Sequence, residues 1–478
     1  MFPGIKLSYA PPKPFAIPVA YAVCILSCLL PTNVHPGQQR RVASGFRVLA
    51  CTPLILYSLS QAMQMTTGDN ALDYLTGTGC FVILLKWVDF MILHTPEKDF
   101  RRVGRAEGSF AGGEGVEERV PETFLEKLLW SCDLWTTLRG IGWNWQVPNV
   151  PRTPASKWSF VKQRIIACAF YYIFLDIPAT YVRGLRLGQA GASDIFDYPL
   201  KDQVVLTWLS TLCAYTVLQL QYNLLACIFV ATSLSAPDKW PPVMGSLPDH
   251  IGSVRSIWAG FWHQTVRRIL GVPYQILTQI VTFPKGSFVS RYSQLWLSFL
   301  TCAVLHHVGA IKLPAVSAET NCLQLVFFAC QPLAITFEGV MARLARKQGI
   351  QKSLATKLIG ALWVALWFSF SLRYHAAFQT RIGIFEKSAV PSIAEWTLNR
   401  MDGGSYRGDW TAEPILGRVQ PAAVIPLKRE DMMLGLPSEA HGDYTDDFRG
   451  QFLVHCTPYR LSPDLPLPKK SSISDRGV

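Results

Sequence analysis

The sequence is short of charge. Asp, Glu, Lys and Arg make up 16% of its 478 residues, where a soluble domain carries about 25%. That deficit excludes an ordinary soluble protein of several domains. No two of the twelve cysteines form a C-x-x-C pair, so neither a zinc site nor a redox motif is read. Cys24, Cys28, Cys51, Cys168, Cys213, Cys227, Cys302 and Cys330 lie in apolar stretches, where cysteine behaves as a small hydrophobe. The Pro-rich N-terminus (Pro3, Pro11, Pro12, Pro14, Pro18) lacks a small-residue cleavage pattern after a compact apolar core. The first apolar stretch is therefore expected to stay as a span rather than be removed. The net charge of +12 comes without a compact basic stripe or nucleic-acid motif, and cytosolic loops of membrane proteins collect Lys and Arg anyway. No nucleic-acid partner is expected. No repeat at a solenoid period is present.

What the chain does have is apolar length: half of it is hydrophobic. A bilayer core needs roughly 20 apolar residues per helix. Eight stretches meet that need, at 15–32, 47–66, 71–93, 163–182, 203–235, 288–311, 322–342 and 355–378. The fold expected is all-α and polytopic, with about eight transmembrane helices in a bundle. The third stretch is the least typical, since it holds Asp73, Lys86 and Asp89. The run 273–283 is too short to span and is a candidate for re-entry. The loops 33–46, 94–162, 236–287 and 343–354 fall on one side under this count. Three of them carry a clear excess of Lys and Arg, which places that side in the cytosol. Four regions follow: N-terminal helices (1–94), a cytosolic loop (95–162), a transmembrane core (163–378) and a polar tail (379–478). Residues 97–122 are Gly-rich and charged and read as a flexible loop; no further span occurs in 380–478.

Three patches carry more than lipid-facing residues need. The first is LRGIGWNWQVPNVP at 138–151, with Arg139, Trp143, Asn144 and Trp145. It reads as an interfacial aromatic belt, or as a fixed loop at a substrate mouth, with Arg139 available to phosphate. The second is the stretch 240–270. After an irregular Pro- and Gly-containing lead-in, a helical pattern starts near Ser253 with Trp258 and Trp262 beside its apolar face. It reads as an amphipathic helix lying on the cytosolic face or dipping below it. His263 sits in its middle, and Arg267 and Arg268 close it. The third is FLTCAVLHHVGAI at 299–311, with His306 and His307 inside an apolar run. Ionisable residues in a span are costly and often functional, and imidazole exchanges protons near neutral pH. Neighbouring helix residues point about 100° apart, so at most one of the two does chemistry. The other is read as hydrogen-bonding a neighbouring helix.

Together these patches resemble the wax-synthase-like branch of the membrane-bound O-acyltransferases. RGIGWNWQ resembles that branch's Arg-Gly-x-Gly-Trp-Asn-Trp signature. FWHQTVRR, with Trp258 and Trp262, resembles its Phe-Trp-x-x-x-Trp-His-Gln element. FLTCAVLHHVG resembles its Phe-x-x-Ser-Gly-x-x-His element, with Cys302 and Ala303 in place of Ser-Gly. The register places the family histidine at His306, not His307. The resemblance spans roughly residues 125–375. It implies a bundle enclosing an acyl-transfer tunnel, with His306 as base and His263 as its upstream partner. It further implies a substrate and CoA site drawn from Arg139, Trp143, Asn144, Trp145, Trp262, Arg267 and Arg268. Acyl-CoA is then a co-substrate rather than a resident cofactor, no metal is needed, and the acceptor is a lipophilic alcohol in the bilayer. Among branch members, the long tail and charged insert are most similar to fungal O-acetyltransferases of terpenoid and meroterpenoid pathways, in the endoplasmic reticulum. Two alternatives stay open: a wax or sterol ester synthase using fatty acyl-CoA, and a transporter relaying protons through buried histidines, although no paired repeat is present.

Overall fold

The protein is described from a computed structural model over residues 15–30, 40–104, 116–117, 120–148, 150–151, 156–185, 187, 194–284, 286–313, 316–351, 353–385 and 391–401. These all fall in one compact unit. Residues 105–115 of the charged insert and everything beyond 401 lie outside them, as do the side chains of Arg40 and Arg41.

The expected all-helical architecture is observed. The long helices are α1 (Ala16–Ser27), α2 (Arg40–Gln64) and α3 (Asn70–Trp87), the last extended by a π-helical turn, Val88–Leu93. After the short α4 (Pro96–Asp99) and α5 (Phe124–Thr136) come α6 (Lys157–Gly184) and α7 (Leu200–Ala231). A broken region follows: α8 (Leu247–His250), α9 (Val254–Ser256), a π turn (Ile257–Phe261), α10 (Arg267–Leu270) and α11 (Val272–Ile280). The bundle is completed by α12 (Phe288–Ile311), α13 (Ala318–Lys347) and α14 (Leu354–Arg381), with α15 (Ile393–Met401) beyond it. The extended backbone includes one two-residue ribbon, β1 (Val103–Gly104) against β2 (Val116–Glu117), with Val103 opposite Glu117.

All eight expected stretches are helical, but six helices among the described residues are long and apolar enough to span. The first stretch falls short because α1 stops at Ser27, whose hydroxyl turns back to the carbonyl of Cys24. Twelve residues rise about 18 Å. The six helices include α3, whose charges are all satisfied internally. Thr66, Thr67 and Lys312 surround the Asp73 carboxylate. Lys86 donates to the carbonyls of Trp135 and Thr137.

Two further expectations change. The start of the charged insert is fixed: Glu97 takes an ion pair from Arg47, and Arg102 pairs with Asp133. The pattern read as one amphipathic helix over 253–270 is broken between Phe261 and Arg267. Its first half enters the bundle, where Trp258 packs against Phe299 of α12, Phe327 of α13 and Phe368 of α14. Each of those residues lies several turns inside its helix, so the segment is re-entrant.

Candidate active site

The re-entrant segment is held by its polar groups. Ser253 caps α9 through the Ser256 amide, and the Glu338 carboxylate accepts from the amides of Val254 and Arg255. This carboxylate also accepts from the Trp363 indole. Both the Trp258 and Trp367 indoles donate to Oε1 of Gln331, a fully buried side chain on α13. An unpaired buried amide is costly; here two tryptophans from different elements share one acceptor, which fixes the depth of the segment. Gln264 donates to the carbonyls of Trp258 and Trp262 and closes the bend. That bend presents His263. Its ring lies 5.4 Å from Trp262, and its Nδ1 is 2.7 Å from the Thr265 hydroxyl. Burial, and secondarily the Arg139 charge, push the His263 imidazole down to about 4. It is neutral at physiological pH.

His306 stands five residues before the end of α12, about 8 Å below it at 1.5 Å per residue. Its ring stacks on Phe328 of α13 at 4.6 Å. The Nδ1 atom is in a short hydrogen bond with the Tyr74 hydroxyl of α3. A glycine pair permits this contact. A Cβ on Gly77 would stand 2.9 Å from the Gly309 Cα, and one on Gly309 would strike the Tyr74 ring at 2.9 Å. Only small residues let α3 and α12 approach this closely, and Tyr74 and His306 lie one turn before those glycines. His306 keeps partial exposure although aromatic rings flank it. His263 is within its electrostatic reach.

A third imidazole completes the group. The His375 ring of α14 meets that of His306 edge-on, 6.4 Å away, and its Nδ1 is 2.9 Å from Oε1 of Gln324. Tyr74, Gln324 and His375 are absent from the sequence reading. The signal for His375 was present: Ser371, His375 and Gln379 repeat every four residues in an apolar helix, which aligns them on one face. His307 differs from its expected role. Its Nδ1 is buried without a hydrogen-bond partner.

The motif loop 139–146 is a scaffold. Arg139 is buried, and its guanidinium donates to the Pro241 and Pro242 carbonyls and to the Tyr222 hydroxyl. Gly140 has φ +63°, and a Cβ there would meet the Trp145 ring at 2.5 Å. Asn144 clamps the end of α4, donating to the Asp99 carbonyl and accepting from the Arg101 amide. Trp143 is buried against Trp130. Arg268 carries Trp145 on its face at 4.9 Å and donates to Asp89. Of the three arginines read as phosphate ligands, Arg139 and Arg268 are thus committed to internal partners. Arg267 is exposed, with one guanidinium nitrogen bonded to the Ala259 carbonyl and Gln264.

The structure is thus an all-α multi-pass bundle with one histidine inside a span and another on the segment that enters the bundle. The comparisons name its chemistry. The Membrane bound O-acyl transferase family model matches residues 240–330, a segment containing both His263 and His306. The chain is 29% identical over 410 residues to the acetyltransferase ple2 of Rhodocybe pseudopiperita, covering 83% of this chain and 98% of the relative. It is 26% identical to the acetyltransferase sirH of Emericella nidulans, covering 77% and 84%. An O-mevalon transferase, macI of Penicillium terrestre, is 24% identical over 75% and 85%. No solved structure matches. The chain is an acyltransferase whose residues 240–330 are similar to the membrane-bound O-acyl transferase family and which over most of its length is similar to fungal acetyltransferases.

Proposed function

We propose that the protein moves an acetyl group from acetyl-CoA to a hydroxyl of a terpenoid or meroterpenoid, with His306 as base. The observation that carries the mechanism is the Tyr74–His306 hydrogen bond. When Nδ1–H donates to the Tyr74 oxygen, the lone pair is on Nε2, free for the acceptor. An alcohol is a poor nucleophile at neutral pH, and Nε2 takes its proton as the oxygen attacks the thioester carbonyl. The tetrahedral oxyanion collapses, the C–S bond breaks, and the His306 imidazolium returns the proton to the leaving sulfur. His263 is neutral, so it acts as a hydrogen-bond donor rather than an acid. With the Thr265 hydroxyl donating to Nδ1, its Nε2–H is free for the oxyanion. Transfer is direct, without an acyl-enzyme.

The acetyl donor is supported by the similarity to fungal acetyltransferases. The CoA end is placed beside exposed Arg267, with the 139–146 loop shaping the mouth. The basic loops support a cytosolic side for this end, and the resemblance to fungal O-acetyltransferases supports the endoplasmic reticulum as the membrane. The test is a microsomal assay of wild type and His306→Ala with labelled acetyl-CoA or palmitoyl-CoA and mixed terpenoid and fatty alcohols. Acetyl ester formed by wild type alone supports the reading. Palmitoyl ester alone, or no ester from either donor, defeats it.

A further inference from the structure

Near the end of the bundle where α12 stops and α13 starts, the interior holds polar atoms with nothing to bond. Both carboxylate oxygens of Asp202, the hydroxyls of Thr207, Ser210 and Ser371, Oε1 of Gln379 and Nε2 of Gln324 are buried without a hydrogen-bond partner. All six side chains are more than nine-tenths buried, and Thr207, Ser210 and Gln324 are fully so. Native interiors rarely leave such atoms bare, and a carboxylate in that state is the costliest of them. At the opposite end the unpartnered atoms are isolated indole and guanidinium nitrogens, as at Trp240 and Arg164.

The six residues come from three helices that meet. Leu206 of α7 packs with Ala376 and Ala377 of α14 and with Leu323 of α13. Arg373 to Gln203 (2.8 Å) and Trp208 to Ser369 (2.9 Å) set the register between α7 and α14. That register brings Thr207 level with Ser371. His375 lies one turn from Ser371 and one from Gln379, is bonded to Gln324, and adjoins His306. The seam is therefore continuous with the reacting centre. The unpartnered atoms of Asp202 and Gln379 are acceptors, so a molecule bound there must bring donors.

We propose that this α7–α13–α14 seam is the acceptor's polar subsite, binding further hydroxyls of a polyhydroxylated alcohol while one hydroxyl reacts at His306. The inference rests on the acetyl-transfer reading for the reaction but not for the binding. The probes are farnesol, with one hydroxyl, and dihydroxyfarnesol, the same chain with an added vicinal diol. Both are assayed with acetyl-CoA and the full-length protein in membranes. Asp202→Asn and Thr207→Val raise the KM for dihydroxyfarnesol roughly tenfold, as loss of a site's hydrogen bonds to substrate does, and leave the KM values for farnesol and acetyl-CoA in place. If farnesol and dihydroxyfarnesol suffer alike, or neither KM moves, the subsite is wrong. Thr207→Val, the milder change, carries the test should Asp202→Asn not fold. If wild type acetylates neither alcohol, the transfer reading fails instead. Radiolabelled dihydroxyfarnesol binding to the protein in nanodiscs then decides: binding weakened in Thr207→Val upholds the subsite, and binding equal to wild type, or none, overturns it.

Discussion

Arg268 on α10 and Asp89 at the end of α3 form a two-point ion pair, at 2.5 and 3.1 Å, with the Asp89 carboxylate fully buried. The guanidinium is also flanked by the rings of Phe90, Phe100 and Trp145. One side chain thus joins the first membrane helices, the motif loop and the element after the re-entrant bend. Removing Arg268 leaves the buried carboxylate with His94, at 3.0 Å, as its remaining partner, and breaking a buried pair costs up to about 3–5 kcal/mol. Arg268→Gln should lower the melting temperature in detergent by several degrees, read by fluorescence-detected size exclusion. The surviving fraction should keep its KM for acetyl-CoA. A raised KM at unchanged stability would return Arg268 to the phosphate role expected of it from sequence.

Tyr74 acts through His306, as an orienting group. Tyr74→Phe keeps the ring and removes the partner of Nδ1, so the imidazole loses its fixed tautomer. We expect kcat to fall roughly 10- to 100-fold, less than the ~10²–10⁴ that the acid–base group itself contributes, with the KM for acetyl-CoA unchanged. Gly77→Ala should do the same without touching either side chain, because its Cβ pushes against the Gly309 backbone. Kinetics of both variants check this. A loss of expression in place of kcat would make the contact structural only.

His306→Ala should abolish transfer, with a loss of at least about a hundredfold, while expression persists. His307→Ala should cost far less. The buried Nδ1 of His307 has no partner to lose, so its truncation removes packing rather than a bond. Equal losses of activity in the two variants would mean that the wrong imidazole has been taken as base.

The long helices were legible because apolar length is a local property. The motif loop, His263 and His306 were legible because each sits in a short recognisable run. What was hidden depends on pairing across the chain. Arg139 looked available because a charged residue beside glycines and tryptophans reads as a loop residue, and Arg268 because it closes an amphipathic pattern. Their partners, the Pro241 and Pro242 carbonyls and the carboxylate in the least typical span, are set only by folding. Tyr74 lies 232 residues from His306, and no spacing links them. The break at 262–266 escaped because periodicity reads through a bend when residues on both sides keep the same phase.

The protonation of His263 makes a prediction for stability against pH. Its folded value is about 4, held down by burial and then by Arg139, against about 6.5 in an unfolded chain. The unfolded state therefore binds a proton that the folded state refuses between those values. Above about pH 6.5 neither state is protonated and the full stability is present. It is lost progressively as pH falls from about 6.5 to 4, and below that no further loss comes from this group. Integrated over that window, the difference amounts to about 3 kcal/mol. His263→Gln keeps a polar side chain but cannot titrate, so its stability should fall less steeply than that of wild type between pH 7 and 4. Thermal melts of both proteins across this range, in one detergent and at constant ionic strength, measure the difference. Parallel curves would mean that His263 is protonated as readily in the folded protein as in solution, and that burial does not hold it neutral.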